Sequence, residues 1–503
     1  MIDDRATPPE ATTTTGRVRG VWRQGSAAFL GIPFAEPPTG ARRFAAPQPK
    51  EAWAGVLDAT AHGPTPQRRA LSEVTLIPEP SVPGDATLNV DVFTPAPGLP
   101  TGAGLPVLVW IHGGGFVAGS PASPWYDGRA FNRDGVVTVT VSYRLGFDGF
   151  GWIDGAPPNR GVLDWLLALR WVRDNVAAFG GDPTRVTIAG QSAGGAAVLT
   201  LLGMPAAQGL FAAAWSLSGL VPGIPADRAQ RYAARLAVAA GVTPDREGFT
   251  SVGEAELLAH QLALDEAVGE AGDEAAVGSS VLPDAALAPA RDLVTEGLSL
   301  GPVIDGDLLP VPTLDAYRAG TGAGVPLVIG ATDDEFALLV HEARGPLDAL
   351  SGREALAALG LAPPALDRYL AARGERSTSD LVGRYVTDRL FRTATLEVLA
   401  ARGAAPSWLY RFAWRSPVFG ESVHCLDVPF WFDCLGLDRV AALAGPRPPQ
   451  GLADDLHRAA VEFVVRGVPG WPHWSEPARL TWVFDTPGSV EGDGYSDVRA
   501  LME

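Results

Sequence analysis

The stretch VTIAGQSAGGAAVLTLL, Val186 to Leu202, decides the fold. It opens on β-branched residues, turns through glycines around a serine in the frame G-x-S-x-G, and runs on as an Ala- and Leu-rich segment. Read locally, this is strand, sharp turn, helix. Gly supplies 59 of the 503 residues, so a chance G-x-S-x-G is expected on the order of 0.3 times in such a chain. One chance match exists: GLSLG, Gly297 to Gly301, frames Ser299. The setting separates the two. Ser192 ends a strand and opens a helix, whose N-terminus favours the negative charge that develops on attack. Ser299 is followed by Gly301-Pro302, which disfavours a helix, and reads as a loop serine.

Working outward, LPVLVWIHGGGF and GVVTVTVSYRL are short apolar or β-branched runs of the kind buried in a parallel sheet. Between them and Ser192, apolar residues at Val162, Leu163, Leu166, Leu167, Leu169, Trp171, Val172 and Val176 recur at helical spacing until Gly180-Gly181. Strands alternating with helices predict an α/β chain with a doubly wound, mostly parallel sheet, binding its ligand outside the carboxyl ends of the strands. GVPLVIGATDDEF and SWLYRFAW supply later strands. Residues 222–288 and 346–405 are helical in pattern and read as insertions covering one end of the sheet. No Ser/Gly linker or internal repeat appears, so one elaborated domain over 1–503 is preferred. Residues 1–15, acidic and rich in Pro and Thr, read as a flexible lead-in.

A serine nucleophile needs a base, and its oxyanion needs donors. HGGG, His112 to Gly115, offers backbone N–H groups without side chains to obstruct a substrate; Gly114 and Gly115, with Ala193 after the serine, would form the oxyanion hole. In this strand-turn-helix class the acid and then the histidine follow the serine. His62 and His112 come too early, His260 lies in a helical insert, and His341 sits too close behind the acidic strand end. Of the remaining three, His457 lies on an amphipathic helix and reads as a surface residue, whereas His424 follows a strand in the loop RSPVFGESVHCLDVPFWF and is the best base, ahead of His473. PLVIGA runs into Asp333, Asp334 and Glu335, and spacing does not choose among the three carboxylates. Phe430, Trp431 and Phe432 read as the wall of an acyl pocket or as a core cluster.

The charge of −18 argues against nucleic acid or an anionic membrane as partner. Lys50 is the only lysine, and Cys425 and Cys434, the only cysteines, are spaced for neither a disulfide framework nor a zinc site and read as reduced thiols. The absence of an apolar leader or membrane-length run makes cytoplasmic residence the simplest reading.

Taken in register, GIPFAEPPTGARRFAAPQP, WIHGGGF, SYRLGF, LDWLLALRWVRDNVAAFGGDPTRVTIAGQSAGG, PVIDGDLLP, GATDDEF, HCLDVPFWF and WPHW…TWVFD make the chain resemble a type-B carboxylesterase of the carboxylesterase and cholinesterase family, over most of its length. The resemblance implies an α/β-hydrolase fold and a Ser192, Glu335, His424 triad, Glu335 being selected by the family's D-E motif. It implies that Ser218, in SLSG, hydrogen-bonds within the triad. Gln191 stands where cholinesterases carry glutamate, Thr87 replaces the usual cysteine, and Thr65 to Asp85 holds no tryptophan, so a neutral ester is expected rather than a choline ester. Cys425 replaces the family's common glycine. The expected activity is hydrolysis of a small-molecule carboxylic ester through an acyl-enzyme, without metal or organic cofactor, by a monomer or weak dimer. Carbamates, aryl amides, lactones or polyesters would suit the same machinery. A non-catalytic interaction protein of this family would typically lack a triad member, and here all three remain.

Overall fold

Strand-forming segments alternate with helices along most of the chain, and a computed structural model, which describes residues 7–66, 77–97, 104–274, 281–341 and 343–502, gathers them into one large sheet. Its strands are β1 (Val21–Arg23), β2 (Ser26–Pro33), β3 (Asn89–Thr94), β4 (Leu105–Ile111), β5 (Val137–Val141), β6 (Gly181–Gln191), β7 (Ala213–Leu217), β8 (Leu327–Thr332), β9 (Ser407–Phe412), β10 (Leu480–Phe484) and β11 (Ser489–Gly492). Their spatial order is β11-β10-β9-β8-β7-β6-β4-β5-β3-β2-β1. From β10 across to β5 every pairing is parallel, and the pairings at both ends are antiparallel. The central strands are apolar on both faces because both are covered. In β4, Val107, Val109 and Ile111 point into one core layer while Leu108 and Trp110 enter the other, the period-2 alternation of a pleated strand. Helices α1 (Arg160–Asn175) and α2 (Ala193–Leu202) fill the first layer, and α5 (Gln450–Arg466) the second.

The chain leaves β4 to one side for β5 and returns on the other side as β6. Such a reversal opens a crevice between the carboxyl ends of two neighbouring strands. The HGGG loop leaves β4 there, and the Ser192 turn leaves β6 there. The two inserts reach the same end. Gly297, Leu298 and Leu300, just past the first, and Arg389 and Leu390, in the second, line one cavity of about 290 Å³ with Phe116 and Leu220 from the carboxyl-end loops. In the second insert, helices α3 (Thr378–Thr387) and α4 (Thr393–Arg402) are joined by a π turn, Asp388–Arg392.

Three expectations change. Residues 10–13 of the supposed flexible lead-in form a strand paired antiparallel with Gly16–Arg19, because alternate residues there are buried; residues 1–6 lie outside the described residues. His457 is not a surface residue: it is 3% exposed, with Nδ1 2.8 Å from the Trp431 carbonyl oxygen and Nε2 3.1 Å from Asp134. The face of α5 that carries it is the buried one. Phe430, Trp431 and Phe432 are core, not pocket wall: all are at most 1% exposed, and Trp431 packs its ring against Trp110, Phe131 and Trp215. The short helix that holds them turns inward, onto the second core layer.

Candidate active site

Ser192 sits at φ 58° and ψ −122°, a backbone conformation that costs a β-carbon residue energy and holds its hydroxyl clear of both strand and helix. Its glycines make this turn possible. A Cβ on Gly194 would lie 2.0 Å from the Ile111 carbonyl oxygen, one on Gly190 2.5 Å from Gly194, and one on Gly195 2.7 Å from the Leu217 carbonyl oxygen. The helix thus starts in backbone contact with β4 and β7. The Ser192 N–H donates to the Leu217 carbonyl at 2.9 Å, which fixes the turn to β7.

The HGGG loop lies against this turn, with Gly113 so close that a Cβ there would meet the Gln191 carbonyl at 2.6 Å and the Ser192 Cβ at 3.1 Å. Gly114, at φ 113°, and Gly115, at φ 61°, carry the chain back, and the Gly114 carbonyl accepts from Val117 and Ala118. His112 stacks on Tyr143 at 4.5 Å between centroids, and the Tyr143 hydroxyl donates to the His112 carbonyl at 2.9 Å, bracing the loop from below. Among the described residues, the N–H groups of Gly114, Gly115 and Ala193 donate to no protein acceptor. Three unengaged donors beside a serine hydroxyl are what a developing oxyanion requires.

The three consecutive carboxylates that follow β8 each take a different basic partner. Asp333 pairs with Arg411 at 2.8 Å, Asp334 with Arg384 at 3.0 Å, and Glu335 with the imidazole of His424, whose Nδ1 donates to Oε2. Glu335 is 1% exposed, and its Oε1 accepts from the Thr332 N–H at 2.7 Å. The loops are zipped by backbone: Asp334 N–H donates to the Ser422 carbonyl at 2.9 Å, Ser422 N–H to Asp334 Oδ2 at 3.1 Å, and His424 N–H to the Glu335 carbonyl at 3.3 Å. Phe336 stacks on the imidazole at 5.9 Å, and Phe391, in the π turn, packs against it at 5.5 Å. Burial works against charge on His424, but Cys425 and Glu335 outweigh it and raise the imidazole well above its ordinary range. Cys425 itself sits at φ 68°, in the left-handed region that suits the glycine it replaces.

His424 Nε2 faces Gln191, whose side-chain amide donates to it at 3.1 Å. Ser218 is not brought into this chain of bonds. Its hydroxyl is buried with no partner among the described residues, while its backbone N–H donates to the Gly330 carbonyl at 2.8 Å. Ser299 is exposed in a loop, as its flanking Gly-Pro foretold. His341 is exposed, and His473 is held by its own loop through Nδ1 at 3.1 Å from the Trp474 carbonyl oxygen.

Asp427 escaped the sequence reading, although it stands only three residues past His424. It is fully buried; the Tyr410 hydroxyl donates to Oδ2 at 3.2 Å, and Oδ1 has no partner. Burial, reinforced by the charge of Glu335, pushes its carboxyl up to about 7. Phe336, next to Glu335, and Phe391, in the second helical insert, escaped it as well, because an aromatic carries no local mark of what it will cover.

The comparisons with known proteins agree along the chain. A family model described as the carboxylesterase family matches residues 7–479. The para-nitrobenzyl esterase of Bacillus subtilis is 34% identical over 514 residues, covering 98% of each chain. Liver carboxylesterase 1 of Oryctolagus cuniculus is 32% identical over 453 residues, 83% of this chain and 77% of its own. Among solved structures, the carboxylesterase EST55 of Geobacillus stearothermophilus is similar with a TM-score of 0.83 at 33% identity, covering 98% of this chain and 100% of that one. A PNB esterase structure gives 0.81 at 31% identity, over 98% and 99%.

Proposed function

The chain belongs to the carboxylesterase family and is a carboxylic ester hydrolase of the serine type with the α/β-hydrolase fold, and from that premise we propose that Ser192, His424 and Glu335 carry the reaction. His424 Nε2 takes the proton of Ser192 as Oγ attacks the ester carbonyl. Gly114, Gly115 and Ala193 donate to the oxyanion, and Glu335 holds the Nδ1–H tautomer and stabilises the imidazolium. The imidazolium then protonates the departing alcohol, and water, activated by the same base, releases the acid. The observation that carries this reading is the trio of unengaged N–H groups beside the strained Ser192 turn.

The substrate we propose is a neutral ester with an apolar or aromatic part. Two observations support it: Gln191 puts no negative charge beside the nucleophile, and Phe116, Leu220, Val221, Leu298 and Leu300 line the cavity that adjoins the oxyanion loop. One α/β-hydrolase domain is part of the proposal, supported by a single sheet that runs from Val21 to Gly492. So are cytoplasmic residence and a monomer or weak dimer; the unpaired thiols of Cys425 and Cys434 suit a reducing compartment. None of the described helices is long and apolar enough to cross a membrane. Hydrolysis of a short-chain p-nitrophenyl ester is expected to fall by about 10³-fold or more in Ser192→Ala, and a fluorophosphonate is expected to label Ser192. Undiminished turnover in that variant, or labelling at Ser299, would overturn the assignment.

A further inference from the structure

His424 has two ring nitrogens and a different partner on each. Nδ1 is committed to Glu335, a buried carboxylate that accepts only, so Nδ1 carries the hydrogen and Nε2 of the neutral ring carries a lone pair. An amide nitrogen has hydrogens and no free acceptor capacity. The contact at 3.1 Å between Gln191 Nε2 and His424 Nε2 therefore has one sense, Gln191 donating. It exists only while the imidazole is neutral, since protonation would set two N–H groups against each other.

The remaining neighbours favour the opposite state. Glu335, Cys425 and the buried Asp427, which is bonded to Tyr410, are the titratable groups that face the ring, and each of them, when charged, is an anion. Phe336 and Phe391 pack against its flanks and leave the side chain 20% exposed. These groups pull towards a proton on Nε2, and a protonated ring takes none from Ser192. Gln191 is 1% exposed, so its amide meets little competition from water.

We infer that Gln191 is a positioning residue that keeps His424 in its neutral, proton-accepting form by donating its amide N–H to Nε2. This inference rests on the reading of Ser192, His424 and Glu335 given above. The residue acts through His424 and touches no bond of the substrate. Its amide oxygen lies towards Gly113, 3.0 Å from where a Cβ would stand, so the side chain spans the gap between base and oxyanion loop. The bond also occupies the lone pair that Ser192 needs: among the described residues, Ser192 Oγ makes no hydrogen bond to His424, and the amide must yield Nε2 as the hydroxyl swings in. A glutamate at this position would do the reverse, accepting from the imidazolium and placing a carboxylate at each end of the ring.

The test is the pH dependence of kcat/KM for p-nitrophenyl ester hydrolysis by the full chain, comparing wild type with Q191E and Q191M. Q191E is expected to move the acid limb upward by about 1 unit or more, so that activity at pH 6 falls about tenfold and returns at alkaline pH. Q191M keeps the length and loses the donor, and moves the limb the same way by less. Superimposable limbs, or a downward shift in Q191E, would overturn the inference. Should Q191E fail to fold, an unmoved limb in Q191M overturns it alone. Ser192→Ala and fluorophosphonate labelling judge the underlying reading separately. Full turnover in Ser192→Ala sinks the site itself, whereas a dead Ser192→Ala with unmoved Gln191 limbs sinks only the role of Gln191.

Discussion

Around Ser192 the chain is held backbone against backbone, whereas around His424 two backbone bonds to the acid loop are reinforced by charges on side chains from distant segments. On the nucleophile side, Gly190, Gly194 and Gly195 leave no room for a Cβ, and the turn is defined by what is missing. On the base side, Asp333 and Asp334 each engage a different arginine and Glu335 the imidazole, and behind them Arg373, Arg384 and Arg392 converge on Asp388 and Asp497. Arg392 is fully buried, 2.8 Å from Asp388 and 2.9 Å from Asp497, with Tyr495 under its guanidinium at 4.6 Å. The first construction is written within a few residues. The second joins the insert, the acid loop and the C-terminal segment Ser496–Leu501.

The sharpest way to break the comparison is to put a methyl group where the backbones touch. Gly194→Ala is expected to abolish turnover, a loss of about 10³-fold or more, with a stability cost of about 3 kcal/mol from overpacking; turnover and thermal unfolding report the two. If Gly194→Ala folds and turns over normally, the turn is not glycine-defined. On the base side, Glu335→Gln is expected to cost about 10³–10⁴-fold in kcat. Asp333→Asn, whose carboxylate faces Arg411 instead, is expected to cost far less. Equal losses would mean that the three carboxylates act as one charge cluster.

Next in size is Arg392→Met, which takes from Asp388 and Asp497 one of the three guanidiniums that converge on them and is expected to lower unfolding stability by about 3 kcal/mol while leaving the Ser192 turn intact. Fluorophosphonate labelling at a temperature where the variant is folded should therefore survive. The smallest effect is in acid. The Asp497 carboxyl is half-buried, which would raise it, but Arg392 and its neighbours hold it far below the ordinary carboxylate range. Such a depressed group contributes stability that is present above its unfolded value and is lost as pH falls towards its folded one. Wild type should lose this contribution progressively below about pH 4, and Arg392→Met, which keeps only the part due to Arg373 and Arg384, should show a flatter acid slope in urea midpoints.

The same contrast explains what could be read from the sequence. Ser192, its helix and the HGGG donors lie within contiguous motifs whose glycines have one use each, and the doubly wound sheet follows from their alternation with apolar strands. His424 was reached by discarding six other histidines on chain order and setting. The choice of Glu335 from Asp333-Asp334-Glu335 needed the family resemblance, because what separates them is Arg411, Arg384 and His424, none of which is near in sequence. For Phe430, Trp431 and Phe432 the sequence left pocket wall and core cluster both open, since which way a short helix turns is decided by Trp110 and Trp215, on two other strands. The N-terminal threonines were mistaken for a free tail because their partner strand is as short as they are. Gln191 was noticed for the charge it lacks; the hydrogen it donates required the fold.

The π turn between α3 and α4 gives that helix a reading frame. Five residues, Asp388 to Arg392, present Phe391 to the imidazole and Arg392 to Asp497 from adjacent positions. Deleting any one of them would restore ordinary pitch, leave the flanking helices nearly in place and re-aim the side chains within the turn. Either the aromatic cover or the ion pair would then point elsewhere. Single-residue deletions in this stretch should be lethal to the enzyme even where substitutions are tolerated, a signature that a deletion scan of the insert would reveal as one narrow intolerant window.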